Sequence, residues 1–290
     1  MSQLPDGQLR KLQRLVASPK LPERPLRSKP ESGPAAVLGN YTLHQALGPR
    51  TWEATHARLP GRLVVRLLAN EAPPERLEKA MAGLRGIAKV NSPVIVPNQK
   101  IARTGSIHFL VREYVPGPNL VNWSGPPRTG LLAFYALARA LQTAHEAGQV
   151  HSNLTPHNVI IDDAGRPYIL DFGLRRIGRA LAGQDPGRPD QTVDASDLGT
   201  LFLTLITGMP AAEILNSPIP APLPSIDPKV DPLIRHLAAR ILGDSFPTTG
   251  DLASAAATIC QKLPSGDSTR IELLKRFESK LGEQSERKPD

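Results

Sequence analysis

The sequence has a single cysteine, few aromatic residues and no long apolar run. One cysteine, Cys260, forms neither an internal disulfide nor a cysteine-based metal site, which favours a reducing compartment. Aromatic residues make up 4% of the 290 residues, which argues against a surface that stacks many bases on rings. No apolar run approaches the roughly 18 residues of a membrane-spanning helix, and the first residues lack an apolar signal core. The chain is therefore expected to be cytoplasmic and without a membrane span.

Proline and positive charge, in contrast, are plentiful. The chain has 30 prolines, which predicts many turns and linkers, and a net charge of +8. Half of that charge falls in residues 1–36, a stretch rich in proline, serine and basic side chains. This composition predicts a flexible leader. Attraction to nucleic acid or to an acidic membrane is an alternative that rests on this leader alone.

Short β-like runs follow the leader. Residues 41–47, 62–69 and 107–115 form three such runs between turn residues, and a helix is expected over 74–89. Together with a hinge they make up a predicted β-rich lobe, residues 37–116.

Helical periodicity dominates the next part of the chain, residues 117–263. Leu131, Phe134, Ala138 and Leu141 recur at helical spacing, and two short runs joined by Ala164-Gly165 predict a hairpin. Three further helices are expected: one after Asp194, one from Asp231, and one capped at Thr248 that ends near Cys260.

The last segment, residues 264–290, carries an apolar stripe at helical spacing over 269–281. This amphipathic helix either docks on the chain's own core or binds a partner.

Residues 150–174, VHSNLTPHNVIIDDAGRPYILDFGL, are the most specific segment. An Asp-Phe-Gly tripeptide closes the predicted hairpin, which itself follows the pattern His-x-x-Leu-x-x-x-Asn. This combination resembles the catalytic core of protein kinases, above all bacterial serine/threonine kinases of the eukaryotic type. The resemblance covers roughly residues 40–262 and implies an α+β, two-lobed protein-kinase-like fold.

Several catalytic positions of that family hold other residues here. The resemblance places Asn153 at the catalytic-base position, where an amide cannot accept the substrate's proton. Thr155 stands at the position of the catalytic-loop lysine, and Arg66 at that of the lysine that pairs the nucleotide phosphates. An arginine fork does not replace a compact ammonium group. The glycine-rich loop retains Gly48 alone, so the phosphate cradle is lost.

The resemblance also implies a degenerate nucleotide pocket. Glu113 and Val115 stand in the hinge, where their backbone groups could bind an adenine, and Arg112 occupies the gatekeeper position before them. A buried guanidinium needs a carboxylate partner, and Asp171 is the expected partner of Arg66 or Arg112.

Asn158 and Asp171 match the metal-holding pair of the family. They either hold a divalent ion with a nucleotide or are structural. In the structural reading Asp171 pairs with an arginine and Asn158 hydrogen-bonds within its own loop.

The ion pairs of the family are missing as well. Gly83 stands where the small-lobe glutamate belongs, with Glu78 as the nearest alternative. The activation segment is short and lacks Ala-Pro-Glu, and Ser245 stands at the position of its arginine partner.

Residues that support the fold are retained. His151 and Phe172 match the apolar spine, and Asp194 matches the aspartate that accepts hydrogen bonds from the catalytic-loop backbone.

This contrast predicts a pseudokinase, a regulatory or scaffolding module without phosphotransferase activity. Its expected partner is another protein, such as an active kinase or a signalling component; nucleic acid is expected only through the leader. No cofactor is expected, and binding of ATP and Mg²⁺ should be weak or absent. The alternative is a weakly active or unconventional ATP-dependent serine/threonine kinase, or a nucleotidyl transferase, that uses Asp171 and Asn158.

Overall fold

The computed structural model describes residues 36–69, 72–207, 230–242 and 248–263. They form a smaller lobe built on an antiparallel sheet and a larger lobe built mainly from helices. The predicted leader, apart from its last residue Ala36, lies outside the described residues. The helix predicted over 269–281 and the position of Ser245 lie outside them too.

The smaller lobe combines six strands and one helix. The strands are β1 (Ala36–Leu38), β2 (Tyr41–Gly48), β3 (Thr51–His56), β4 (Leu63–Ala69), β5 (Asn98–Thr104) and β6 (Ile107–Glu113), in the spatial order β1-β2-β3-β4-β6-β5. Helix α1 (Pro74–Ala88) buries Ala80, Leu84 and Ile87. The sequence predicted β2, β4, β6 and α1. It missed β1, β3 and β5, because their residues are too few or too polar to stand out as apolar runs.

The pairing of β4 with β6 decides which side chains share a face. The register places Val64 opposite Arg112 and Arg66 opposite Leu110. Alternate residues of a strand point to the same face, so Arg66 and Arg112 lie together on one face of the sheet. The other face packs into a separate apolar cluster that includes Tyr41, Val65 and Phe109.

The larger lobe surrounds one long buried helix. Its elements are α2 (Pro127–Glu146), a 3₁₀ turn (Pro156–Asn158), the hairpin β7 (Val159–Ile161) and β8 (Pro167–Ile169), α3 (Leu174–Leu181), α4 (Gln191–Thr207), α5 (Asp231–Leu242) and α6 (Thr249–Cys260). The predicted apolar face of α2 is fully buried. Gly130 lets α2 and α4 approach closely, because a Cβ atom there would overlap the carbonyl oxygen of Leu205.

Several predicted boundaries of the larger lobe are confirmed. Helix α5 begins at Asp231, and the Thr248 side chain caps α6 by accepting a hydrogen bond from the backbone N–H of Asp251 at 3.1 Å. Helix α4 begins three residues before Asp194, because that carboxylate bonds a neighbouring loop and does not cap its own helix.

Helix α3 was not predicted.

No helix of the described ranges is both long and apolar enough to cross a bilayer.

Candidate functional site

The loop after α2 is held by the buried carboxylate of Asp194. Its Oδ2 and Oδ1 atoms accept hydrogen bonds from the backbone N–H groups of His151 and Ser152, each at 2.7 Å. The His145 Nε2 atom lies 2.9 Å from Oδ2. Asp194 therefore fixes the backbone from which Asn153 and Thr155 extend, in the manner that the sequence predicted.

His151 joins this loop to the segment that carries Asp171. Its Nε2–H donates to the carbonyl oxygen of Leu170 at 2.9 Å, while Nδ1 accepts from the backbone N–H of Asn153 at 3.2 Å. These two roles require the neutral Nε2–H form. Burial lowers the pKa of His151, although the charge of Asp194 acts in the opposite direction. The ring also contacts that of Phe172 edge to face, with centroids 5.3 Å apart, as expected for spine residues.

Asp171 is bonded to two arginines at once. Its Oδ2 atom accepts from Arg66 Nη1 at 2.7 Å and its Oδ1 atom from Arg112 Nε at 3.3 Å. The side chains of Asp171 and Arg112 are 10% and 8% exposed, whereas that of Arg66 is 38% exposed. The sequence predicted one such ion pair, and the structure contains both.

Arg112 also hydrogen-bonds a backbone group of the hinge. Burial lowers the pKa of its guanidinium, the charge of Asp171 opposes that shift, and arginine stays charged near neutral pH. Arg112 Nη1 donates to the carbonyl oxygen of Glu113 at 3.1 Å. That carbonyl is one of the groups that the family resemblance would assign to an adenine.

A cleft of about 450 Å³ lies between the lobes. Five residues singled out in the sequence line it together: Arg66, Asn153, Thr155, Asn158 and Asp171. Arg112, Glu113 and Val115 do not line it. Val115 packs instead beside the buried cluster of Val96, Ile160 and Leu170.

Two arginines of the cleft were not predicted. Arg50 lies in the turn between β2 and β3 and Arg175 in the first turn of α3. The spacing of Leu174, Ile177 and Leu181 could have indicated α3, because these residues share one face of a helix. No sequence signal distinguishes Arg50 from the other surface arginines.

Helix α3 packs against α1. A Cβ atom on Gly83 would lie 3.8 Å from Cγ1 of Ile177, so this position faces an apolar neighbour. Glu78 pairs with Arg85 at the surface of α1. In the described part of the chain, neither position supplies a carboxylate to Arg66.

The donor set at Asp171 does not fit Mg²⁺, the ion that the kinase-like fold implies. Both carboxylate oxygens already accept hydrogen bonds from guanidinium groups. The Asn158 amide donates to the carbonyl oxygen of Asn153 at 2.9 Å, the loop contact of its structural reading. A third cation at Asp171 would be repelled by the two arginines unless they moved away.

Several bacterial kinases have sequences related to this chain. The chain is 30% identical over 206 residues to the serine/threonine-protein kinase PknA of Mycobacterium tuberculosis, covering 61% of this chain and 47% of the relative. It is 29% identical over 150 residues to the DNA damage-responsive serine/threonine-protein kinase RqkA of Deinococcus radiodurans, covering 48% of this chain and 22% of the relative. The chain thus spans less than half the length of these curated relatives.

The fold has a solved counterpart. The PknI kinase domain of Mycobacterium tuberculosis superposes with a TM-score of 0.53 and 20% identity, covering 78% of this chain and 99% of that domain. No protein-family model matches the chain. The predicted fold class is confirmed: the chain has a protein-kinase-like fold, with an antiparallel sheet and one helix followed by a mainly helical lobe. It is related in sequence to bacterial serine/threonine kinases.

Proposed function

We propose that this kinase-like domain is a pseudokinase, which transfers no phosphate and acts as a regulatory or scaffolding interaction module. The observation that carries the proposal is the double ion pair of Asp171 with Arg66 and Arg112. It links the two lobes through the carboxylate that a kinase would need for its metal ion.

The energetics of this cluster support inactivity. Phosphoryl transfer depends on positioning and on cations that neutralise the developing charge. Freeing Asp171 for such an ion would leave the buried Arg112 guanidinium without its partner. Removing one member of a buried ion pair costs about 3–5 kcal/mol, so the paired state is strongly preferred.

The remaining catalytic positions support the same proposal. Asn153 offers an amide where a substrate hydroxyl needs a base, and Thr155 offers no positive charge to a phosphate. On the hinge side, Arg112 already holds the Glu113 carbonyl oxygen. At none of these positions would a nucleotide find the partner that a kinase provides. Tight binding of ATP with Mg²⁺ is therefore not expected.

A protein that keeps this fold without the chemistry can act through its surface. The partner we propose is another protein, such as an active kinase or a signalling component, because the curated relatives PknA and RqkA are serine/threonine kinases. The proposed location is the cytoplasm, in line with the single buried cysteine.

The test is transfer of radiolabelled γ-phosphate from ATP, with Mg²⁺ and with Mn²⁺, to the chain itself and to general protein substrates. We expect no incorporation above a protein-free control. Asn153→Asp should not restore activity, because the position of the phosphate-pairing lysine and the glycine-rich loop remain altered.

Incorporation that disappears in Asp171→Asn protein would overturn the proposal. It would favour the alternative, an unconventional ATP-dependent kinase or nucleotidyl transferase that uses Asp171 and Asn158. Asp163→Asn is the matched control, because Asp163 is an exposed aspartate in the hairpin turn of the same lobe.

A further inference from the structure

We infer that the cleft between the lobes binds a polyphosphate without a metal ion, through Arg50, Arg66 and Arg175. This inference concerns a ligand and goes beyond the proposed loss of phosphate transfer. It rests on the way three separate elements bring guanidinium groups to one cleft.

Each arginine is placed by a different part of the fold. Arg50 adopts a left-handed backbone conformation, with φ at 61°, and its Nη2 donates to the carbonyl oxygen of Leu68 at 3.1 Å. Arg66 extends from β4, and Arg175 from α3 donates through Nη1 to the carbonyl oxygen of Ser152 at 3.3 Å. Arg50 and Arg175 each retain further N–H donors, since a guanidinium carries five.

The charge of the cleft is unbalanced. Asp171 is the single carboxylate among the described residues that line it, and it already pairs with Arg66 and with Arg112 behind it. Within the described ranges, Arg50 and Arg175 form no ion pair. An anion of several charges would supply the negative charge that the cleft lacks.

Phosphate is the chemical class that fits these donors. Guanidinium groups bind phosphate oxygens through two parallel hydrogen bonds, and the Thr155 hydroxyl and Asn153 amide add neutral polar groups to the wall. The cleft volume of about 450 Å³ lies in the range of small-molecule sites.

Neither a metal ion nor a nucleobase is expected to strengthen the binding of this anion. Mg²⁺ bound to a polyphosphate neutralises part of its charge and competes with the arginines for the same oxygens. An adenine adds little, because Arg112 and Glu113 do not line the cleft and are bonded to each other. The favoured ligand is therefore the free polyphosphate chain, whether inorganic or carried by a nucleotide.

The test uses the full chain and inorganic tripolyphosphate in calorimetric titrations with a chelator present. We expect saturable binding that weakens as salt rises, since ions screen charged groups. Metal-free ATP should bind within about threefold of tripolyphosphate and adenosine should not bind, whereas equimolar Mg²⁺ should weaken binding several-fold. Removing one charged hydrogen-bond donor lowers affinity about tenfold. We expect this loss for Arg50→Ala and for Arg175→Ala.

Matched controls come from the same two regions. Arg179 lies on α3 and Arg58 follows β3; both are exposed and neither lines the cleft. Arg179→Ala and Arg58→Ala should bind tripolyphosphate as the unchanged chain does.

Three results would overturn the inference: no binding of tripolyphosphate, equal losses in the control variants, or ATP binding that Mg²⁺ strengthens. Absence of binding would leave the proposed lack of phosphate transfer intact. Phosphate transfer would overturn that proposal without contradicting tripolyphosphate binding.

Discussion

Two buried aspartates of the larger lobe, Asp194 and Asp171, are bonded in different ways. Asp194 accepts hydrogen bonds from the backbone of His151 and Ser152 and contacts the His145 ring. Asp171 accepts its hydrogen bonds from two arginine side chains that come from the sheet of the smaller lobe.

The bonding of Asp194 supports the fold, whereas the bonding of Asp171 decides what the site can do chemically. Backbone N–H groups are present whatever the sequence of the loop, so the role of Asp194 depends on the path of the chain alone. Arginine side chains at positions 66 and 112 are particular to this sequence, and they turn Asp171 into a structural link between the lobes. The two regions can therefore be perturbed separately.

The largest effect is expected at Asp194. Asp194→Ala leaves two loop N–H groups without their acceptor in a buried site, and we expect a loss toward the upper end of about 3–5 kcal/mol in the free energy of unfolding. Asp194→Asn keeps the shape and should lose less. Denaturant titration measures both, with Asp163→Ala as an exposed control expected within about 0.5 kcal/mol of the unchanged chain. A small loss in Asp194→Ala would mean that the loop holds its own conformation.

A smaller loss, about 3 kcal/mol, is expected for Asp171→Ala without any nucleotide present, because it leaves Arg112 buried and unpaired. Arg66 is partly exposed to water and should contribute less. Replacing both Asp171 and Arg112 by apolar residues of similar size should recover most of the loss. If Asp171→Ala is as stable as the unchanged chain by the same titration, the carboxylate is free, and the contrast between the two aspartates fails.

The smallest effect concerns His151, which connects the two regions. Burial lowers its pKa in the folded chain below the ordinary 6.5, so the unfolded chain binds the extra proton as the pH falls below 6.5. The contribution of His151 to stability should therefore be constant above this pH and decline below it, in total by about 1.4 kcal/mol for each unit by which the folded pKa is lowered.

His151→Gln removes the titrating group and should flatten the decline between pH 6.5 and pH 5, measured as unfolding free energy at each pH. His157→Gln is the comparison, because burial lowers the pKa of this half-buried histidine too. An unchanged slope in His151→Gln, or a larger effect of His157→Gln, would show that His151 is not the group responsible.

The sequence by itself determined the larger part of the fold. Apolar spacing along α2, the capping residues of α5 and α6, and the turn of the β7–β8 hairpin are local patterns, and local patterns fix helices and hairpins. The same holds for the chemistry that is missing, because an asparagine at 153 or a threonine at 155 lacks its proton acceptor or charge in any fold.

Tertiary structure decided how the remaining groups are paired. The sequence offered Arg66 or Arg112 as a partner of Asp171, and the strand register of β4 and β6 brings both to it, since it places the two arginines on one face of the sheet. The meeting of Arg50 and Arg175 at one cleft joins residues more than one hundred positions apart in the chain. Such contacts depend on how elements pack in space, and a periodic pattern within one element does not contain that information.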